Sequence, residues 1–303
     1  ININDTDIDG KTALMFASIQ GKSEIVKLLI SSGAKINIYD YYRNTALSFA
    51  LKNLNFSIAK FLISKGANVN SHYNNGETVL MAACKLGQIQ TLKLLLSYNV
   101  NVNQRSNKGM TALAYACKKG NDLAVKLLVT HGARINERNT GGWTPLMFAC
   151  ESGNLNIVKY LISKGTKINY KTNYLRTALM IASGKGYLNI IKYLIDNGAN
   201  INEKDNNGRN SLMKASIKGY LNIVKYLIPK GARKNETDSI NDGWSALEYA
   251  AMYGNLKIVK YLYYKGIKKS HHIFNALIHA SLNENIDIVK FLISKGANIN
   301  QRT

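Results

Sequence analysis

Short apolar clusters at helical spacing alternate with polar, Asn- and Gly-bearing stretches along the whole chain. Between Gly142 and Gly165, Leu146 and Ala149 fall three apart, and Ile157, Val158, Leu161 and Ile162 stand at i, i+1, i+4 and i+5 with Lys159 turned away. Each spacing gathers its apolar residues on one face of a 3.6-residue period and predicts two short amphipathic helices. Thr144 before Pro145 suits a helix start: a hydroxyl stands at the cap, and the proline has a fixed φ and lacks an N–H that would find no partner there. Gly153 and Gly165 supply the left-handed conformation that closes each helix.

The same pattern recurs. The equivalents of Ala149 are Ala17, Ala50, Ala83, Ala116, Ala149, Ala182, Ala215, Ala250 and Ala280, spaced by 33 six times, then 35, then 30. The closing glycine gives an independent ladder from Gly33 to Gly296, with Asn99 on the third rung as the residue expected to replace glycine at positive φ. On these residues the chain resembles the ankyrin repeat family, whose unit is a Thr-Pro-Leu-His-x-Ala helix, an antiparallel second helix and a projecting β-turn finger. The resemblance covers residues 1–303 and implies an all-α ankyrin-repeat solenoid. It implies one domain of about nine repeats, approximately 5–37, 38–70, 71–103, 104–136, 137–169, 170–202, 203–235, 236–270 and 271–300. The family's histidine is replaced on every rung, by Met15, Ser48, Met81, Ala114, Met147, Met180, Met213, Glu248 and Ile278, which predicts apolar packing in place of its hydrogen bonds. The terminal sequences read as repeat tails and suggest a fragment of a longer array.

Several repeats depart from the pattern. Leu54 replaces the mid-repeat glycine, so that turn is expected to close differently; Arg43 and Leu175 replace the finger glycine and predict tips of another shape. The finger from Asn235 to Ser245 is two residues longer than the rest, and that from Ser270 to Asn275 three shorter. Pro229 in the last turn of a second helix predicts an early end there.

Charge then enters the picture: 40 Lys and Arg stand against 18 Asp and Glu, a formal +22. Lys, Asn, Ile and Tyr are residues of A/T-rich codons, so a low-GC genome alone produces such a chain. Position separates the alternatives. Lys27, Lys60, Lys93, Lys126, Lys159, Lys192, Lys225, Lys260 and Lys290 share one rung opposite the second-helix apolar stripe. The bland reading of that ridge is a solvated face; the sharper one is an electrostatic contact with nucleic acid or an anionic membrane. Tyr160, Tyr193, Tyr226 and Tyr261, inside the second helices, are expected to pack in the core.

The resemblance implies that partners are gripped by finger tips and the exposed end of the first helix. On those positions lie Tyr41, Tyr42, Trp143, Tyr174, Arg176, Arg209, Lys218, Trp244 and Tyr253. Trp, Tyr and Arg dominate binding hot spots because they bury large area at modest entropic cost. Trp143 and Trp244 are expected as apolar anchors, and Arg176, Arg209 and Lys218 as counterparts of acidic groups. The expectation is a non-enzymatic protein-binding module acting through repeats 4 to 8, with the lysine ridge as the alternative surface. Five scattered histidines form no ligand set, and Ser183-Gly184-Lys185-Gly186 reads as a repeat turn, so no catalytic residue, metal, cofactor or small-molecule substrate is assigned. Cys84, Cys117 and Cys150 sit 33 apart, too far for a disulfide between stacked repeats, and free thiols fit a reducing compartment. With no apolar run of membrane-spanning length and no signal-like start, the expected location is soluble, either cytoplasmic or delivered into a host cell.

Overall fold

The computed structural model describes residues 2–240, 243–267 and 270–297. Every repeat yields two antiparallel helices, and the described residues divide into two compact units, Ile1–Pro145 and Leu146–Thr303. In the first unit the pairs are α1 (Ala13–Ile19) with α2 (Ser23–Ser31), α3 (Ala46–Lys52) with α4 (Phe56–Ser64), α5 (Val79–Leu86) with α6 (Ile89–Leu96), and α7 (Ala112–Lys119) with α8 (Asp122–Thr130). The second carries α9 (Pro145–Ser152), α10 (Leu155–Ser163), α11 (Ala178–Lys185), α12 (Leu188–Asp196), α13 (Ser211–Ile217) and α14 (Leu221–Leu227). It continues with α15 (Ala246–Met252), α16 (Leu256–Tyr264), α17 (Ser270–Leu282) and α18 (Ile286–Ser294). No strand forms among the described residues, only isolated bridges such as Thr6 with Thr12.

The first helices start where the capping hydroxyls are. Thr12, Thr45, Thr78, Thr111 and Thr177 each accept the N–H of the third helical residue at 3.2–3.3 Å, satisfying a donor that has no partner inside the helix. The ladder alanines are buried, which lets consecutive first helices approach closely. The five methionines on the family's histidine rung are 1–2% exposed and pack as apolar residues. Ser48 on that rung completes a reciprocal cap with Thr45, and Glu248 makes a polar contact to the next repeat. Fully buried, it accepts the Ser245 N–H and meets His272 Nδ1 of the next repeat at 3.2 Å, so a polar tie joins repeats 8 and 9.

Much of the asparagine is structural. Asn202 donates from Nδ2 to the Gly231 carbonyl and accepts the Arg233 N–H; Asn103 and Asn169 repeat the arrangement one repeat apart from their partners. At the mid-repeat turns, Asn55 and Asn255 donate back to Ser18 and Ser216 carbonyls. These bonds satisfy backbone groups that a stack of separate units would otherwise leave open.

The departures resolve in physical ways. Arg43, Leu54 and Leu175 take φ of 61°, 61° and 55°, the left-handed region that glycine occupies in sister repeats, so these turns keep the common shape rather than adopting another. Asn99 does the reverse: it stays outside that region, and the chain closes through the Val100 N–H on the Tyr98 carbonyl. Pro229 does end its helix early, α14 stopping at Leu227. The ninth repeat has no short finger among its described residues, since α17 begins at Ser270 and takes His271 and His272 into its first turn. The three cysteines are buried and none is in a disulfide; burial pushes the Cys84 thiol up to about 12 and raises that of Cys150, which disfavours the reactive thiolate at both.

Candidate partner-binding surface

The fingers are built by short polar side chains that hold their own backbone. Asp40 Oδ1 accepts the N–H groups of Tyr42 and Asn44, Asp205 those of Asn207 and Arg209, and Asn139 those of Gly141 and Trp143. Successive tips are joined through backbone, as in Tyr41 N–H to the Asp9 carbonyl and Asn206 N–H to the Tyr174 carbonyl. This fixes the residues before each capping position on one edge of the unit.

In the first unit, Tyr41 and Tyr42 stand 69% and 63% exposed at the second finger, whereas Trp143 is half-buried beside its own turn at Gly141. In the second unit, Tyr174 is 64% exposed with the Arg176 guanidinium 5.8 Å from its ring centre, and Lys218 and Tyr253 are exposed at the ends of α13 and α15. Arg209 and Trp244 are placed differently. Arg209 Nε donates to the Tyr249 hydroxyl at 2.8 Å and its guanidinium lies over the same ring at 5.0 Å. Tyr249 in turn donates to Asp238. Trp244 is half-buried, edge-on to Tyr249 at 5.4 Å and 3.9 Å from the His279 ring. Both therefore stabilise the stack of repeats 7 to 9, and the exposed set of this unit is Tyr174, Arg176, Lys218 and Tyr253.

Beneath that set lies a polar layer that sequence patterning did not single out. Lys214 Nζ meets Asp205 at 2.7 Å with Asp205 almost wholly buried. Burial pulls the Lys214 amine below its ordinary value against the hold of Asp205, and the nearby Arg176 and Arg209 charges pull the same way. Burial, reinforced by Asp238, pushes the Tyr249 hydroxyl up to about 12. The available signal was the rung before the ladder alanine, where Lys214 and Tyr249 replace the phenylalanine of repeats 1, 2 and 5.

All nine ridge lysines are exposed. In the second unit they have an internal use: Lys159, Lys192 and Lys225 each lie 5.7–6.0 Å over the tyrosine ring of the following repeat, Tyr193, Tyr226 and Tyr261, and Lys260 does the same over Phe291. Tyr160, Tyr193, Tyr226 and Tyr261 are half-buried instead of lying in the core, the last three under these amines. A long lysine stem covers the ring face while its charge stays in water, so the ridge ties repeats together.

Among the described residues no group of three or more His, Cys, Asp or Glu could hold a metal, and no helix is long and apolar enough to cross a membrane. The sequence matches the family described as ankyrin repeats, in three-copy blocks, over residues 1–73, 65–139, 124–205, 168–238 and 212–303. No curated protein matches the chain. Among solved structures, the crystal structure of the human ASB11 ankyrin repeat domain is similar at 25% identity and a TM-score of 0.63, covering 74% of this chain and 99% of that one. The paired helices, capped first turns and fingers, with family matches that run from one end to the other, show that the chain belongs to the ankyrin-repeat family, whose members generally serve as protein-binding modules.

Proposed function

We propose that the chain is a non-enzymatic module that binds another protein through its finger tips and first-helix ends. The observation that carries this is the set of tyrosines left in solvent at strained tips. Tyr41, Tyr42 and Tyr174 are all more than 60% exposed, and each finger is closed by a non-glycine residue in the left-handed region, Arg43 or Leu175. Backbone strain and exposed rings both cost stability and coincide where a partner would recover the loss. Arg176 and Lys218 beside Tyr174 and Tyr253 suit a partner presenting carboxylates, with charge setting encounter and specificity more than affinity. The lysine ridge is the weaker surface for recognition because its amines already cover aromatic rings. Nucleic acid or an anionic membrane is accordingly the second reading.

The test compares proteins retained from lysate at physiological salt by the parent chain, by a Tyr174→Ala/Arg176→Ala/Lys218→Ala/Tyr253→Ala variant and by a Lys192→Glu/Lys225→Glu variant, each with unchanged helical circular dichroism. A discrete protein kept by the parent and the ridge variant and lost by the first variant is expected. Retention of nucleic acid or lipid alone, abolished by the ridge variant, would refute the reading.

A further inference from the structure

In each repeat the residue after the ladder alanine is Ser, Cys or Ala, except in the second, where it is Leu51. The residue before that alanine is larger than alanine in every repeat except the third, where it is Ala82. Both exceptions fall on the same interface. A bulky side chain stands where a small one lets first helices close, opposite a methyl group where a ring or long chain usually fills the space. The consequence is a local opening inside the first unit: α3 meets α5 far less closely than α1 meets α3 or α5 meets α7.

The opening is a cleft of about 280 Å³. Its apolar wall is Leu51, Val79, Ala82, Ala83 and Leu86, with Leu51 fully buried and Leu86 56% exposed at the rim. Its carboxylate is already satisfied, because Glu77 accepts from the Tyr115 hydroxyl and from Lys85 Nζ, the latter at 3.2–3.3 Å. Lysines flank it: Lys52 and Lys85 line the cleft, and the Lys119 stem passes the adjoining turn at Gly87. Lys85 is held by the Glu77 carboxylate, so the Lys52 and Lys119 amines leave a positive rim around an apolar floor. The volume falls below the ~300–1,000 Å³ of sites that enclose a whole small molecule, and suits a single side chain projecting from a chain that lies across the surface.

We propose that this cleft seats one aliphatic side chain of an acidic peptide segment of a partner protein, with Lys52 and Lys119 meeting the segment's carboxylates. The proposal deepens the protein-binding reading and rests on it. It also locates an anchor point in the repeats 2 and 3 interface, where the sequence placed none. Leucine at position 51 and alanine at position 82 act together: the first holds the helices apart, and the second leaves the space empty.

The test is a selection of random phage-displayed peptides on the immobilised 303-residue chain at physiological salt. The selected sequences are then titrated as synthetic peptides against the parent and against Leu51→Ser, Ala82→Phe and Lys52→Glu variants. Leu51→Ser restores the small residue of the other repeats and Ala82→Phe restores the ring, so each closes the cleft by a substitution that sister repeats already accommodate. Peptides with an aliphatic residue flanked by Asp or Glu are expected, losing about ten-fold or more in affinity on both cleft-closing variants, the worth of one buried aliphatic side chain. Weakening by Lys52→Glu and by added salt is expected alongside. No enrichment over a surface coated with Ala82→Phe, selected peptides lacking acidic residues, or equal affinity for parent and cleft-closing variants would each overturn the proposal. In that event, peptides lost by Tyr174→Ala and Tyr253→Ala leave the protein-binding reading standing, whereas peptides sensitive only to ridge lysines remove both.

Discussion

Single residues hold most of the strain and most of the tolerance in this chain. Leu175 at φ 55° sits where sister fingers carry glycine. A left-handed L-residue costs about 1–2 kcal/mol, and glycine recovers that at an entropic cost of about 0.5–1 kcal/mol in the unfolded chain. Leu175→Gly should therefore stabilise the protein by roughly 0.5–1 kcal/mol in urea melts; a destabilised variant would mean the leucine packs usefully. Gly219 is the converse case. With φ at 78°, an added Cβ would stand 2.6 Å from Asn255 Oδ1, the side chain that donates to the Ser216 carbonyl. Gly219→Ala should cost about 2 kcal/mol or more, from strain together with a displaced inter-repeat hydrogen bond, and amide exchange of α15 and α16 should rise with it.

At the scale of elements, the second helices of the second unit are joined edge to edge by lysines lying over the next repeat's ring. The pair Lys192 and Tyr226, 5.7 Å apart, offers a clean measurement, since both are on the surface and neither takes part in the core. A double-mutant cycle with alanine at each position should return a coupling of about 0.5–1 kcal/mol. A coupling near zero would return the ridge to being a solvated face. The asparagine bridges act on the finger side of the same repeats. Asn202→Ala removes one donated and one accepted bond to the next repeat, at about 1–2 kcal/mol for two exposed bonds, seen as faster exchange at Arg233.

For the whole molecule, the governing fact is a charge of +22 with few carboxylates, of which the buried ones are used internally. Burial alone would raise the Glu77 and Glu248 carboxyls, but Tyr115 and Lys85 at the first, and His272 and Ser245 at the second, outweigh it and hold both below the ordinary range. A depressed folded pKa gives stability that is complete above the unfolded value, near 4.3, and is lost as pH falls through the folded one. Burial likewise holds the His279 imidazole below its ordinary value, so stability should ease as pH falls through about 6.5 and fall further below about 5, with Glu248→Gln flattening only the lower limb in urea midpoints. Added salt should raise the midpoint at neutral pH, because screening relieves repulsion among forty cations more than it weakens the few ion pairs. Stability in a repeat stack is a sum of units and neighbour interfaces, so each unit's melt should show its own substitutions.

The order of residues by itself determined the repeat, its helix starts and closures, its buried rungs and the family, because each follows from local backbone preference and a 3.6-residue apolar period. Thr177 caps a helix and Met180 is buried for reasons contained within a few neighbouring residues. Tertiary structure decided which candidate side chains stay in solvent. Arg209 and Trp244 have the composition of a hot spot, yet Tyr249, 40 residues beyond Arg209, and His279 take them up. Such choices depend on distance and desolvation between residues a full repeat apart. The cleft at Leu51 and Ala82 arises the same way, from two rungs that matter only once α3 and α5 stand side by side.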